Sequence, residues 1–422
     1  MMYGFLILIL MISPELRAGD NILTLDEAVA QVLSLNPDVQ AAHLRTEAAR
    51  ARVPLAKALE DPQAGVTFDN VPRNTWDIQQ GDAINYRLEQ KIPFPGKRYV
   101  RGKAARFDAQ ATAEEMRGTT QDVVLDLKRT YFDLYRIERT LEANKDNQQL
   151  LKQLLGSAEA SYAAGQTNAD RPLKIRVELT RLENEGILLD QERTTHQSHL
   201  KALLNQPVHA THPETHQDIR LPNHLTFPPF TAKLEDVIQM TLESRSELKV
   251  LDAGVARDRA KLTGAKQALL PDFSFGVEYN QRSNREDAWT GSAMMSLPIF
   301  LPGKRKAEIS EAHSLLKATE AERESMRVHT RHDIEQAYSA VQAAKKLVDA
   351  YQINAVPQAK ASFEAARLAY SSGQSDLLTL IDAARMVREL TISLYEGEAR
   401  LGTAFAELER LVGKEFTKRS SS

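Results

Sequence analysis

The chain contains an internal repeat, and this repeat constrains the fold more than any other feature. Four separate segments recur at nearly one offset, 207 to 209 residues: Leu25–Val29 with Leu234–Ile238, Pro62 with Pro271, Pro95–Arg98 with Pro302–Arg305, and Tyr162–Gln166 with Tyr370–Gln374. Chance rarely produces four matches at one spacing. The sequence therefore predicts two structural repeats, at 24–205 and 233–413, joined by a proline-rich linker at 206–232.

Both halves have the same order of predicted elements. Each begins with a helix, at 26–59 and 235–268, which a proline ends because proline has no N–H to donate. Two strands follow, indicated by apolar and polar residues that alternate, as in Phe273–Asn280. After the Pro-Gly turn, a long helix and a shorter returning helix complete each half. They are predicted at 98–163 and 305–371, and at 169–204 and 376–412.

The long helices carry a coiled-coil seam. Apolar residues at alternating three- and four-residue steps occur in both halves: Leu127, Tyr131, Leu134 and Leu141 in the first, and Ile334, Tyr338, Val341 and Val348 in the second. At 1.5 Å per residue, each of these helices would be ~100 Å long. Tyr131 and Tyr338 lie on the seam, so packing is favoured over ligand binding for both.

Several classes of function are excluded by composition and motif. The chain has no cysteine, which excludes thiol catalysis, disulfides and cysteine metal sites. Its 54 basic and 57 acidic residues are evenly mixed, so no nucleic-acid partner is indicated. Gly96-Lys97 lacks the upstream glycine of a phosphate-binding loop, and no His-Glu-x-x-His motif occurs. We expect neither an enzyme nor a cofactor.

The two ends of the chain are expected to lie outside the folded body. An apolar run from Tyr3 to Ile12, followed by Leu16-Arg17-Ala18, is typical of a secretory signal, which we place at 1–18. The run is shorter than the ~20 residues of a membrane-spanning helix. Residues 414–422 are expected to form a disordered tail. The chain is therefore predicted to be exported.

Strands of about ten residues in an exported protein have the length of outer-membrane barrel strands. Four strands cannot close a barrel, and lipid does not tolerate unpaired strand edges. Three copies would supply twelve strands, so the sequence predicts a homotrimer in the bacterial outer membrane. The alternative is a soluble protein with two β-hairpins and coiled-coil arms. The clean alternation of the strands and the length of the helices favour the membrane protein.

These features resemble the TolC-type outer-membrane efflux family. The resemblance covers residues 24–413 and depends on the repeat, the Tyr-x-x-Gly turns and Leu380–Ala384. It implies a mainly helical fold with membrane β structure, in which a trimeric β-barrel continues as a long periplasmic α-helical coiled-coil barrel. It also implies a periplasmic adaptor and an inner-membrane resistance-nodulation-division pump as partners. The Pro-Gly-Lys-Arg turns are similar to those of the CzcC-like heavy-metal cation branch.

The resemblance assigns roles to six residues. Gly165, Gln166, Gly373 and Gln374 lie in the turns where the family meets its adaptor, so they are predicted adaptor contacts. Tyr370 matches a tyrosine that holds the family's periplasmic gate closed, and Asp382 matches a carboxylate at the narrowest entrance. The chain departs from the family at Thr379, where a second aspartate can occur, and at Ser375, where an arginine can occur. Asp170 is a candidate acceptor for the Tyr370 hydroxyl.

Three questions stay open at the level of sequence. The cargo is predicted to be heavy-metal cations, with type I protein secretion or drug efflux as alternatives. Lys97-Arg98 and Lys304-Arg305 could contact lipid headgroups or cap helices equally well. Six histidines concentrate at 196–224 with some spacings that suit a divalent cation, although a polar linker explains them better.

Overall fold

The computed structural model describes residues 23–71, 78, 81–165, 168–206, 221–227, 229–283, 285–297 and 302–414. The first half contains α1 (Leu25–Leu35), α2 (Pro37–Lys57), β1 (Gln63–Asp69), β2 (Ala83–Ile92), α3 (Lys97–Ala163) and α4 (Asp170–Leu203). The second half contains α5 (Leu234–Ser244), α6 (Ser246–Gln267), β3 (Asp272–Arg282), β4 (Ala288–Ser296), α7 (Pro302–Ala350), a π-helical turn (Tyr351–Ala355), α8 (Val356–Ser371) and α9 (Leu377–Val412).

The opening helix of each half is divided in two, so the prediction of single helices at 26–59 and 235–268 was wrong. In the first half, the Asn36 side chain accepts hydrogen bonds from the backbone N–H groups of Asp38 and Val39 and caps α2. Pro37 then occupies the first turn of α2, where its missing N–H costs nothing. A sequence pattern of apolar residues continues across such a break, which is why periodicity alone overlooked it.

In the second half, the break falls at Arg245, without a proline. The guanidinium is buried and donates to the Thr330 hydroxyl (3.0 Å) and to the Asp333 carboxylate (3.0 Å). The Ser244 hydroxyl donates to the carbonyl of Val412 at the end of α9 (2.5 Å). These tertiary hydrogen bonds satisfy polar groups at the break. The break in the helix therefore depends on residues that are far away in the sequence.

A second correction concerns the long helix of the second half. The sequence predicted one helix over 305–371, whereas a π-helical turn separates α7 from α8. Pro357 lies just after this turn, and a proline ring clashes with the carbonyl four residues earlier in a regular α-helix. In the first half, α3 matches its prediction of 98–163 closely and contains no proline.

The four strands form one antiparallel sheet in the order β1-β2-β3-β4. Ala64 pairs with Leu88, Leu88 with Val277, and Phe273 with Met295. The two hairpins are thus joined through their inner strands. Within the described residues, β1 and β4 each pair on one side only. Among those same residues, no helix has the length and apolarity needed to cross a bilayer.

The chain folds as two compact units, which share the long helices. The first comprises the described residues of 23–32, 127–227 and 347–400, and the second comprises those of 33–126, 229–346 and 401–414. The core of the first unit includes a cluster of apolar side chains from α3, α4 and α9: Leu151, Ala158, Ile175, Leu179, Leu182, Leu377 and Ile381. In the second unit, Phe230 packs against Tyr338 and Phe405.

Candidate functional site

The two turns predicted to contact an adaptor have nearly the same geometry. Gly165 follows α3 with φ of +70°, and Gly373 follows α8 with φ of +73°. Each glycine N–H donates to the carbonyl of the tyrosine three residues earlier, at 2.9 Å and 3.1 Å. These left-handed conformations explain why both positions are glycine. A Cβ on either residue would meet nothing within 4 Å, so both turns are open on the outside.

The other two predicted adaptor contacts are Gln374 and Gln166. Gln374 is exposed, and its backbone N–H donates to the carbonyl of Ala369 (2.9 Å), which closes the end of α8. Gln166 lies outside the described residues. The side chain of Gln374 is therefore free to meet a partner, and the four adaptor assignments stay predictions.

Tyr370 lies one turn before Gly373 and is half-buried. Its ring packs against the apolar cluster of α3, α4 and α9, which fixes its direction. Across the described part of the chain, the Tyr370 hydroxyl forms no hydrogen bond. The Asp170 carboxylate, the acceptor suggested by sequence, accepts from the Lys174 ammonium instead (3.2 Å). Within one protomer, the hydroxyl of Tyr370 is thus available.

Asp382 does not stand alone on α9. Its carboxylate accepts from the Arg385 guanidinium (3.2 Å), and its side chain is 56% exposed. The same guanidinium donates twice to the buried carboxylate of Glu178 on α4, at 3.2 Å and 3.1 Å. These hydrogen bonds with Glu178 raise the pKa of Arg385 above its ordinary value. The site predicted as a bare carboxylate is a three-residue ionic group.

A second ion pair joins the same two helices. The buried guanidinium of Arg388 donates to the Glu185 carboxylate. Sequence reasoning overlooked Arg385, Arg388, Glu178 and Glu185. Each ion pair joins two helices whose residues lie more than 200 positions apart, so only the packing of α4 against α9 brings them together.

Thr379, which departs from the family pattern, has a structural role. Its backbone N–H and its hydroxyl both donate to the Asp376 carboxylate, at 3.0 Å and 2.6 Å, so that Asp376 caps the start of α9. The hydrogen bond from the Thr379 hydroxyl lowers the pKa of Asp376. A carboxylate is thus present three residues before Thr379, already engaged by the cap.

The sheet has one apolar and one polar face. The apolar face is exposed in the protomer, and Trp289 on it is 72% exposed. Its other large exposed members are Val66, Phe68, Tyr86, Leu88, Phe275, Val277 and Met295. The opposite face carries Asp69, Asn85, Arg87, Glu89, Glu278, Asn280 and Arg282. An exposed apolar surface of this extent requires a nonaqueous environment or a partner.

The basic pair Lys97-Arg98 makes hydrogen bonds to other parts of the chain. Arg98 donates to the carbonyl of Lys57, the last residue of α2 (2.7 Å), and Lys97 donates to the carbonyl of Leu270 (2.7 Å), which lies after the end of α6. Arg98 thus caps the end of α2 rather than a helix start. In the second half, Arg305 pairs with Glu308 (2.7 Å), while Lys304 is exposed.

Some of the histidines and both seam tyrosines have protein partners. Nδ1 of His199 lies 3.2 Å from the Thr130 hydroxyl, and the described residues contain no group of three potential metal-ligating side chains. His209, His212 and His216 lie outside the described residues. Tyr131 is buried and donates to the carbonyl of Leu23, and Tyr338 donates to that of Ala232. Packing is therefore the role of both tyrosines.

A chain that combines such a sheet with long paired helices fits the class of outer-membrane channels. The model of the outer membrane efflux protein family matches residues 28–206 and 237–414, so the chain belongs to this family. It is an outer-membrane protein that extends into the periplasm, and it is a channel rather than an enzyme. This confirms the resemblance seen in the sequence.

Two relatives and one solved structure give the family context. The chain is 24% identical over 305 residues to the pyoverdine export outer membrane protein OpmQ of Pseudomonas putida, covering 70% of this chain but only 59% of that protein. It is 21% identical over 406 residues to the cobalt-zinc-cadmium resistance protein CzcC of Cupriavidus metallidurans, covering 95% and 92%. The open MtrE channel of Neisseria gonorrhoeae has the same fold, with a TM-score of 0.78, 16% identity, and coverage of 94% and 91%.

Proposed function

We propose that the protein is the exit duct of a tripartite efflux system, conducting substrate passively across the outer membrane. An inner-membrane resistance-nodulation-division pump would deliver the substrate through a periplasmic adaptor. The observation that carries this proposal is the two-faced sheet, because its exposed apolar face fits lipid and its polar face fits a water-filled passage. Family membership supports the same assignment.

The working unit in this proposal is a homotrimer. One protomer offers four strands and leaves an edge at β1 and another at β4, and unpaired N–H and C=O groups are costly in lipid. Three protomers give a closed barrel of twelve strands. The helices of the two repeats, 24–205 and 233–413, would continue this barrel into the periplasm. A native mass measurement on detergent-extracted protein should give three chains, and a stable monomer would contradict the assembly.

The turns and the group around Asp382 would form the periplasmic end. The open surface at Gly165 and Gly373 supports adaptor docking there, since a Cβ on either glycine would meet nothing within 4 Å among the described residues. The available hydroxyl of Tyr370 supports a role in closing the gate, with an acceptor on a neighbouring protomer. Asp382, partly neutralised by Arg385, would line the entrance.

Heavy-metal cations are the cargo we favour. The alignment with CzcC extends over nearly the full length of both chains, whereas the alignment with OpmQ leaves two fifths of that protein unmatched. Type I protein secretion and drug efflux are the alternative functions. Export of pyoverdine, the cargo in the name of OpmQ, is a further alternative.

Deletion of the gene tests the cargo directly. We expect the deletion strain to become sensitive to one or more of cobalt, zinc, cadmium, copper and silver, and a plasmid copy to restore tolerance. Unchanged metal tolerance with greater sensitivity to dyes or antibiotics would assign the protein to drug efflux. Loss of a secreted polypeptide, with metals and drugs unaffected, would assign it to secretion.

A further inference from the structure

The sheet edges carry information about the assembly, because the repeat can be checked against strand pairing. The offsets between repeat positions are 209 before the strands, at Pro62 and Pro271, and 207 after them, at Pro95 and Pro302. In the first hairpin, Ala64 pairs with Leu88. The offset of 209 maps Ala64 onto Phe273, and the offset of 207 maps Leu88 onto Met295. Phe273 and Met295 pair in the second hairpin. The offsets therefore map one hairpin onto the other without a slip.

The same mapping applies to the pairing that joins the hairpins. Within one protomer, Leu88 of β2 pairs with Val277 of β3, and Glu89 pairs with Gly276. We propose that β4 of one protomer pairs antiparallel with β1 of the next in the mapped register, Met295 opposite Phe68 and Ser296 opposite Thr67. This inference rests on the proposed trimer and specifies its interface residue by residue.

The positions of the apolar side chains agree with this register. They stand at even positions on β1, such as Phe68, and at odd positions on β4, such as Met295. Side chains alternate between the two faces of a sheet, so a slip of one residue would place Phe68 opposite Met294 or Ser296, on the polar face. The mapped register keeps the apolar face continuous between protomers.

The lysines after the strands supply a second observation. Lys97 is tied down by the second half of its own chain, since its ammonium donates to the Leu270 carbonyl (2.7 Å) and to the Asp272 carboxylate (2.8 Å). Its counterpart Lys304 is exposed and has no partner within the described residues. The offset of 209 maps Leu270 onto Asp61, which is also exposed, and Asp272 onto Gln63. The mapped acceptors for Lys304 are thus the Asp61 carbonyl and the Gln63 side chain of the neighbouring protomer. In the proposed interface, the Asp61 carboxylate supplies the negative charge that Asp272 supplies to Lys97.

Cysteine pairs can test the register, because the chain has no cysteine of its own. Thr67→Cys with Ser296→Cys, and Asp69→Cys with Met294→Cys, place two thiols directly opposite each other in the mapped register. Thr67→Cys with Ser292→Cys is the matched control, displaced by four residues or ~14 Å along the strand, beyond the reach of a disulfide. Except for Met294, each of these residues has a small or polar side chain, and none is catalytic.

The expected result is a covalent trimer. Membranes are oxidised and the extracted protein is run on a nonreducing gel, where the two in-register pairs should give about tenfold more cross-linked trimer than the control. Each single-cysteine variant should remain a noncovalent trimer, which shows that the substitutions are tolerated. In addition, Lys304→Glu or Asp61→Lys should lower the heat stability of the trimer, and the double exchange should restore it.

The two ways of failing are distinguishable. If the protein is trimeric by native mass but the displaced pair cross-links and the in-register pairs do not, the register is wrong while the proposed function survives. If no pair cross-links and the protein extracts as a monomer, the proposed trimeric duct itself is wrong. Failure of the double exchange at Lys304 and Asp61 to restore stability would overturn the contact between those two residues.

Discussion

The two halves of the chain differ most in their long helices. α3 runs unbroken for 67 residues, whereas its counterpart is divided into α7 and α8 by the π-helical turn at Tyr351–Ala355. The offset between matching residues is 207 as far as Val348 and 208 from Tyr370 onward, so the second half has one extra residue between these positions. A π-turn absorbs a single inserted residue. The π-turn therefore keeps the residues before it and the residues after it aligned with their counterparts in α3.

Removing one residue should therefore have opposite consequences in the two halves. Deleting the exposed Lys145 from α3 rotates the following residues by about 100° and removes Leu151 and Ala158 from their cluster, because α3 has no turn that could absorb the change. The lost burial should cost about 4 kcal/mol or more and abolish folded trimer. Deleting Ile353, with Pro357→Ala, should instead give a continuous helix and a functional protein.

Heat-stable trimer in membrane extracts and metal resistance of a complemented deletion strain measure both outcomes. Pro357→Ala alone is the control and should retain both properties. If the deletion of Ile353 is as damaging as the deletion of Lys145, the π-turn does not accommodate an inserted residue.

This comparison also shows what the sequence could predict. The repeat and the alternating strands were readable because they depend on local pattern, and α3 was predicted to within one residue at its start. The breaks at Arg245 and at Tyr351–Ala355 were missed. The first depends on tertiary hydrogen bonds to α7. The second accompanies a one-residue change in the offset of the repeat. The ionic group of Glu178, Arg385 and Asp382 required the packing of α4 against α9, which local pattern does not contain.

The next prediction compares the two turns. Gly165→Trp and Gly373→Trp should each abolish resistance while trimer formation survives, because the bulky ring fills the open surface that we propose as the docking site of the adaptor. Gly165→Ala and Gly373→Ala are the matched controls, which add only the strain of a left-handed residue, about 1 kcal/mol. Resistance and cross-linking to the adaptor are the measurements. If one tryptophan variant keeps full resistance, only the other half carries the docking surface.

A smaller effect is expected at the ion pair between Glu178 and Arg385. Arg385→Gln removes both hydrogen bonds of the buried Glu178 carboxylate with Arg385, leaves it the more distant Arg181 (3.8 Å), and should lower stability by about 1–2 kcal/mol. It also removes the charge beside Asp382, so cation preference in planar bilayers should increase. Asp382→Asn should decrease that preference with little loss of stability, because its ion pair is exposed. If both variants have the reversal potential of the wild type, this ionic group does not lie on the conduction path.

The smallest structural change compares Tyr370 with its counterpart Tyr162. The Tyr370 ring packs against the apolar cluster, while Tyr162 is 51% exposed. Tyr370→Phe keeps this packing and removes a hydroxyl that has no partner among the described residues of the protomer. Stability of the protomer should therefore change by less than about 0.5 kcal/mol. An effect on conductance would then support a contact of this hydroxyl with a neighbouring protomer.

In the closed trimer, three hydroxyls would each contribute about 1 kcal/mol to the contacts that hold the gate. Losing all three shifts the balance toward the open state, so Tyr370→Phe should raise single-channel conductance or open probability, whereas Tyr162→Phe should change neither. Restoring the hydroxyl by reversion should return the wild-type value. If both phenylalanine variants conduct as the wild type does, closure does not depend on this hydroxyl. The asymmetry between the two tyrosines would then reflect packing in the cluster alone.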